Sequence, residues 1–69
     1  MDLSKKIKLA MVNQGINQTE LARLTEQTKS NLSNKLERND FKLSEYERLV
    51  NALGCNLEVS IICPDGTKF

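Results

Sequence analysis

Ser30, Asn31, Ser33 and Asn34 crowd four short hydrogen-bonding side chains into one stretch, and Lys29, Lys35 and Arg38 bracket them with cations. Leu32 and Leu36 stand four apart in the same stretch and mark it as a short helix with a buried stripe, in whose interior Ser and Asn are each slightly unfavourable. A helix that served packing alone would fill its outer face with Ala, Glu or Lys. Counting about 100° per residue from Leu32 puts Ser30, Asn31, Asn34 and Arg38 away from the core, Lys29 and Ser33 on the flanks, and Lys35 beside the stripe. The chemistry on offer is recognition: amides and hydroxyls that both donate and accept, edged by charges suited to anions.

Reaction chemistry finds no footing. The chain has no histidine, no convergent carboxylate pair and no glycine loop to cradle a phosphate, so no residue can be assigned the role of base, nucleophile or cofactor ligand, and neither an enzyme nor a bound cofactor is expected. Sixty-nine residues make one domain, small enough to bury only about 60% of the surface of its unfolded chain. Cys55 and Cys63 read as small apolar residues of a strand, because no histidine completes a zinc site and no secretory leader implies an oxidising compartment. With no apolar run long enough for a membrane, a cytoplasmic protein is expected. The net charge of +1 hides an asymmetry: residues 1–42 hold eight Lys and Arg against five Asp and Glu, whereas residues 43–69 hold two against four. That imbalance permits a basic face turned toward phosphates, although solvated charges without a partner explain it nearly as well.

The elements that must position the polar stretch follow from periodicity and caps. Leu3, Ile7, Ala10, Met11 and Gln14 share one side of an amphipathic first helix, opposite Lys5 and Lys8, and Gly15 ends it. Asn17 as N-cap, Glu20 three residues on, and Ile16 with Leu21 as a staple start a second helix at Gln18, which runs to about Thr25. Thr28 caps the third helix and Asn39 closes it. Ser44 and Glu47 read as the capping pair of a fourth, with Tyr46, Leu49, Val50 and Leu53 as its core stripe and Gly54 as its stop. Beyond Gly54 the period drops to two: Leu57, Val59 and Ile61 alternate with Glu58, Ser60 and Ile62, and Pro64-Asp65-Gly66 reads as a hairpin turn before Thr67-Lys68-Phe69.

Two short helices joined by a tight turn, with the small Ala22 in the first and Leu32 and Leu36 in the second, match the helix-turn-helix unit, whose second helix protrudes and can enter a DNA major groove. Asn pairs bidentately with adenine, Lys and Arg donate to guanine, and Ser serves either, so this face is equipped to read base edges. The stretch NQTELARLTEQTKSNLSNKLER resembles the motif of the lambda-repressor-like Cro/repressor family, with Gln18 at its first position, Ala22 at its small position, and Ser30, Asn31 and Leu32 early in the recognition helix. The resemblance runs from about Leu3 to Leu53. It implies that Gln18 meets a phosphate and that Lys29, Ser30 and Asn34 face the bases.

Three departures stand out. Glu26 occupies the turn position where the family usually has Gly, at a cost of about 1–2 kcal/mol if that residue is left-handed. Thr25 replaces an aliphatic residue, leaving Leu24 to fill its space. A strand and hairpin stand where a fifth helix is usual, and DGTKF is similar to the ribbon through which Cro-type subunits pair.

The expected architecture is mainly α with a small β tail: a four-helix lambda-repressor-like helix-turn-helix domain over residues 1–54, and a C-terminal β-strand and hairpin over 55–69 in the same structural unit. The expected function is that of a small transcriptional regulator binding double-stranded DNA, a repressor of phage or mobile-element type by resemblance. Gln18, Lys29, Ser30, Asn31, Ser33, Asn34, Lys35, Arg38 and Lys42 are the expected DNA contacts. Val59, Ile61 and Ile62 form the expected homodimer contact. The rival reading is an antitoxin-like protein whose tail binds a second protein instead.

Overall fold

The computed structural model describes residues 2–69, and it is built from four helices: α1 (Leu3–Gln14), α2 (Gln18–Leu24), α3 (Lys29–Arg38) and α4 (Leu43–Ala52). Asp2, Asn17 and Thr28 cap the first three, each side chain accepting the backbone N–H three residues on, from Lys5, Glu20 and Asn31. Gly15 closes α1 at φ 66° and Asn39 closes α3 at φ 53°, both in the left-handed region. The fourth helix starts one residue before the expected cap. Its N-cap is Lys42, not Ser44, and the Lys42 backbone N–H donates to Glu45 Oε1 at 3.3 Å. This is half of a capping box, since a lysine side chain has no acceptor to return the bond.

Ile7 and Met11 of α1, Leu21 and Ala22 of α2, Leu32 and Leu36 of α3, and Tyr46, Leu49, Val50 and Leu53 in and after α4 make one core. Leu21 and Leu32 are completely buried. Ala22 is 2% exposed, and its single methyl lets α2 and α3 approach closely. Truncating a fully buried leucine such as Leu32 to Ala would cost about 2–5 kcal/mol, a large fraction of what so small a domain can have. Polar ties fix the helix ends on this core. The Ser4 backbone N–H donates to Asn39 Oδ1 at 2.9 Å, the Ser4 hydroxyl to the Leu36 carbonyl, the Tyr46 hydroxyl to the Leu3 carbonyl at 3.1 Å, and Gln14 Nε2 to the Leu53 carbonyl at 3.0 Å.

The turn between α2 and α3 keeps the left-handed residue that Glu26 makes costly: its φ is 56°. Leu24 does not fill the space beneath it. Leu24 is 40% exposed, while Thr25 is buried and satisfies its hydroxyl by donating to the Leu21 carbonyl at 2.8 Å. A buried threonine can stand in for an aliphatic residue because its oxygen bonds back to the preceding turn of the helix.

The β tail is corrected. Among the described residues there is no β-strand; Ile62 and Lys68 form one antiparallel bridge. Ile61 and Phe69 exchange two backbone hydrogen bonds of 2.8 Å, Cys63 donates to Thr67, and Gly66, at φ 90°, donates back to Cys63. The expected turn at Pro64-Asp65-Gly66 is therefore present, but the pairing extends no further than Ile61. Leu57 packs half-buried against the core, and Val59, Ile61 and Ile62 stay 65–72% exposed. The backbone N–H groups of Leu57 to Ser60 have no partner among the described residues, and an extended segment without a neighbouring strand makes no sheet.

Candidate nucleic-acid interface

The α3 sequence folds as a helix because Leu32 and Leu36 bury one stripe and Thr28 and Asn39 close its two ends, which leaves the opposite side to the solvent. Ser30, Asn31 and Asn34 line one open hollow on that side together with Glu26, Gln27 and Thr28. Asn31, Asn34, Lys35, Arg38 and Lys42 line a neighbouring groove of about 500 Å³ with Asp40 and Glu45. The two share Asn31 and Asn34, so one continuous polar surface runs along the outer face of α3 and onto the loop before α4. Lys29 and Ser33 are exposed on the same helix and line neither hollow. Gln18 lies apart from them, half-buried at the head of α2 in a groove with Lys8, Met11, Val12, Gly15, Ile16 and Asn17.

Local bonds orient part of this surface. Gln27 Nε2 donates to Thr25 Oγ1 at 2.8 Å, and Asn31 Nδ2 donates to Gln27 Oε1 at 3.4 Å. A chain of side chains thus leads from the buried Thr25 out to the helix face, and Gln27, absent from the expected contacts, joins the site. Glu26 also enters it, and its carboxylate is met by the Arg48 guanidinium at 3.5 Å.

Lys35 is placed differently from the other cations. Its ammonium donates to Glu45 Oε2, and this hydrogen bond, followed by the one from the Lys42 backbone N–H, holds the Glu45 carboxyl below its ordinary value. Lys29, Arg38 and Lys42 form no ion pair among the described residues. Nothing in the sequence pattern pointed to Glu45. It lies ten positions beyond Lys35, across a loop, where neither helical nor strand periodicity relates two residues.

Two short helices packed across an alanine, the second presenting an uncharged polar face edged by cations, define a helix-turn-helix protein. The chain belongs to the Cro/C1-type HTH DNA-binding domain family, whose model matches residues 6–58. No curated protein and no solved structure matches it. The match covers all of α2, α3 and α4 and reaches Leu57, the last residue of the tail packed on the core. No helix among the described residues is long and apolar enough to cross a membrane.

Proposed function

We propose that this protein is a cytoplasmic, sequence-specific transcriptional repressor that binds double-stranded DNA as a homodimer. The observation that carries the reading is the continuous polar surface of α3, where Ser30, Asn31 and Asn34 stand together on the outer side of a helix that a helix-turn-helix unit inserts into the major groove. In this reading Asn31, Asn34 and Ser30 read base edges with Ser33 at the margin, while Gln18, Lys29, Arg38 and Lys42 contact phosphates. The penalty of Ser and Asn in a helix, a few tenths of a kcal/mol each, is small beside the roughly 1–3 kcal/mol of discrimination from one good base contact.

The homodimer rests on the tail, where Val59, Ile61, Ile62 and Phe69 are each at least 65% exposed beside unpaired backbone groups. A second copy running antiparallel supplies the missing partners, and a twofold pair spaces two recognition helices by about 34 Å, one turn of DNA.

Selection of binding sites from random duplexes, followed by footprinting and a salt titration, tests the function. A protected, twofold-symmetric site is expected, with a log–log salt slope of about −5 to −7 for three or four phosphates per subunit. Failure to enrich any sequence would overturn the reading. Enrichment by a protein that is monomeric in solution would favour the rival in which the tail serves a different protein.

A further inference from the structure

We infer that Glu45 is a positioning residue for DNA recognition: it withholds Lys35 from the duplex and anchors the loop before α4, leaving the groove to be read by Asn31 and Asn34 and clamped by Arg38 and Lys42. The inference rests on the DNA-binding reading above.

One carboxylate does both jobs. Oε2 accepts from Lys35 in the last turn of α3, and Oε1 accepts from the backbone N–H of Lys42, the N-cap of α4. Among the described residues this is the most shielded of the three ion pairs. Its side chains are 29% and 33% exposed, against 68% and 42% for Arg23–Glu20 and 59% and 85% for Arg48–Glu26. A phosphate that took Lys35 would have to break the pair and would then face a bare carboxylate in the same wall of the groove, with Asp40 close by. Lys29, Arg38 and Lys42 have no ion pair to break among the described residues, although Arg38 and Lys42 share the groove with the same two carboxylates.

The consequence is for specificity as well as affinity. Lys35 lines the same groove as Asn31 and Asn34, and a lysine on a flexible stem donates to guanine O6 and N7, whereas asparagine matches adenine. Holding the ammonium against Glu45 removes the guanine-seeking donor from the bases that face the two asparagines.

The test compares the native protein with Lys35→Gln, Glu45→Gln and the double variant, each titrated with salt on the selected site and on sites carrying guanine for adenine. Gln at position 45 keeps an acceptor for the Lys42 N–H, and circular dichroism reports whether the helices survive. Lys35→Gln is expected to leave the slope unchanged. Glu45→Gln, by freeing Lys35, should steepen it by about 0.9 per subunit and raise relative affinity for the guanine sites, and the double variant should return both to native values. A slope made shallower by Lys35→Gln alone, or left unmoved by Glu45→Gln, would overturn the inference. Failure of the underlying reading looks different: the native protein itself would prefer no duplex over random DNA, and both would fall together.

Discussion

Asn34 and Gln18 carry the same kind of side-chain amide, yet their places in the fold differ, and on the proposed reading so does their work. Asn34 is shared by both hollows on the outer face of α3, whereas Gln18 sits half-buried at the head of α2 in a separate groove. Replacing Asn34 or Ser30 by Ala should flatten base preference at one or two positions, at about 1–3 kcal/mol each, with affinity for random DNA nearly intact. Gln18→Ala should weaken cognate and random duplexes alike. Competition binding with both kinds of DNA checks this, and equal losses on both for all three variants would remove the distinction. The polar face itself was legible from the sequence, because Leu32 and Leu36 fix which way the helix turns. Thr25 was not: an aliphatic Leu24 next door looked the better core residue, and only the positions of the Leu21 and Ala22 carbonyls show how the Thr25 hydroxyl can be buried without loss.

Among the elements, the turn between α2 and α3 holds the clearest strain. Glu26 at φ 56° occupies a region that any residue with a Cβ enters at a cost, and glycine enters freely. Both Glu26→Gly and Glu26→Ala discard the exposed contact with Arg48, so comparing them isolates the backbone. The Gly variant should be the more stable by about 1 kcal/mol in urea unfolding. An Ala variant of equal or greater stability would mean that the turn relaxes to another shape. The α4 cap teaches a related lesson. Ser44 with Glu47 satisfied the capping pattern by residue type, but the helix begins a turn-half earlier because Glu45 is drawn to Lys35 and can close the Lys42 N–H from there.

As a whole, the molecule is elongated, 43 × 23 × 17 Å, with a radius of gyration of 13.4 Å where a compact chain of its length has about 11 Å. The tail beyond Leu57, which lies off the core, is what the proposed dimer would cover. Because Ile61 already donates to Phe69 within the chain, the informative substitution is Ser60→Pro, which removes an unpaired donor and leaves the hairpin bonds untouched. Sedimentation equilibrium should show a weaker dimer and binding assays a weaker operator complex, with helical circular dichroism unchanged. A native dimer that survives, or helices lost with it, would sink the β-paired interface. Acid should act on the whole fold in one direction. Glu20 beside Arg23, Glu45 beside Lys35 and Asp65 under the Thr67 N–H are each held below their ordinary values, so the stability they lend is present at neutral pH and lost as the pH falls through those lowered values. With no histidine to titrate, the thermal midpoint should stay flat from neutrality to about pH 5 and decline only below it.

The number and order of the helices, the N-caps Asn17 and Thr28, the closing residues Gly15 and Asn39, and the face of α3 turned outward could be read from the sequence, because each depends on residues within one or two turns of one another. The left-handed turn at Glu26 was anticipated as a cost, but that the chain accepts it shows only in the fold, where the Glu26 N–H donates to the Arg23 carbonyl at 3.1 Å and the Gln27 N–H to the Ala22 carbonyl at 3.0 Å. The tail went the other way. Its alternation of apolar and polar residues suited a strand, yet a strand exists only opposite another, and the chain offers it one bridge. The pairing of Lys35 with Glu45 also belonged to the tertiary structure alone, since two charges far apart in sequence become partners only when a loop returns one helix against the next.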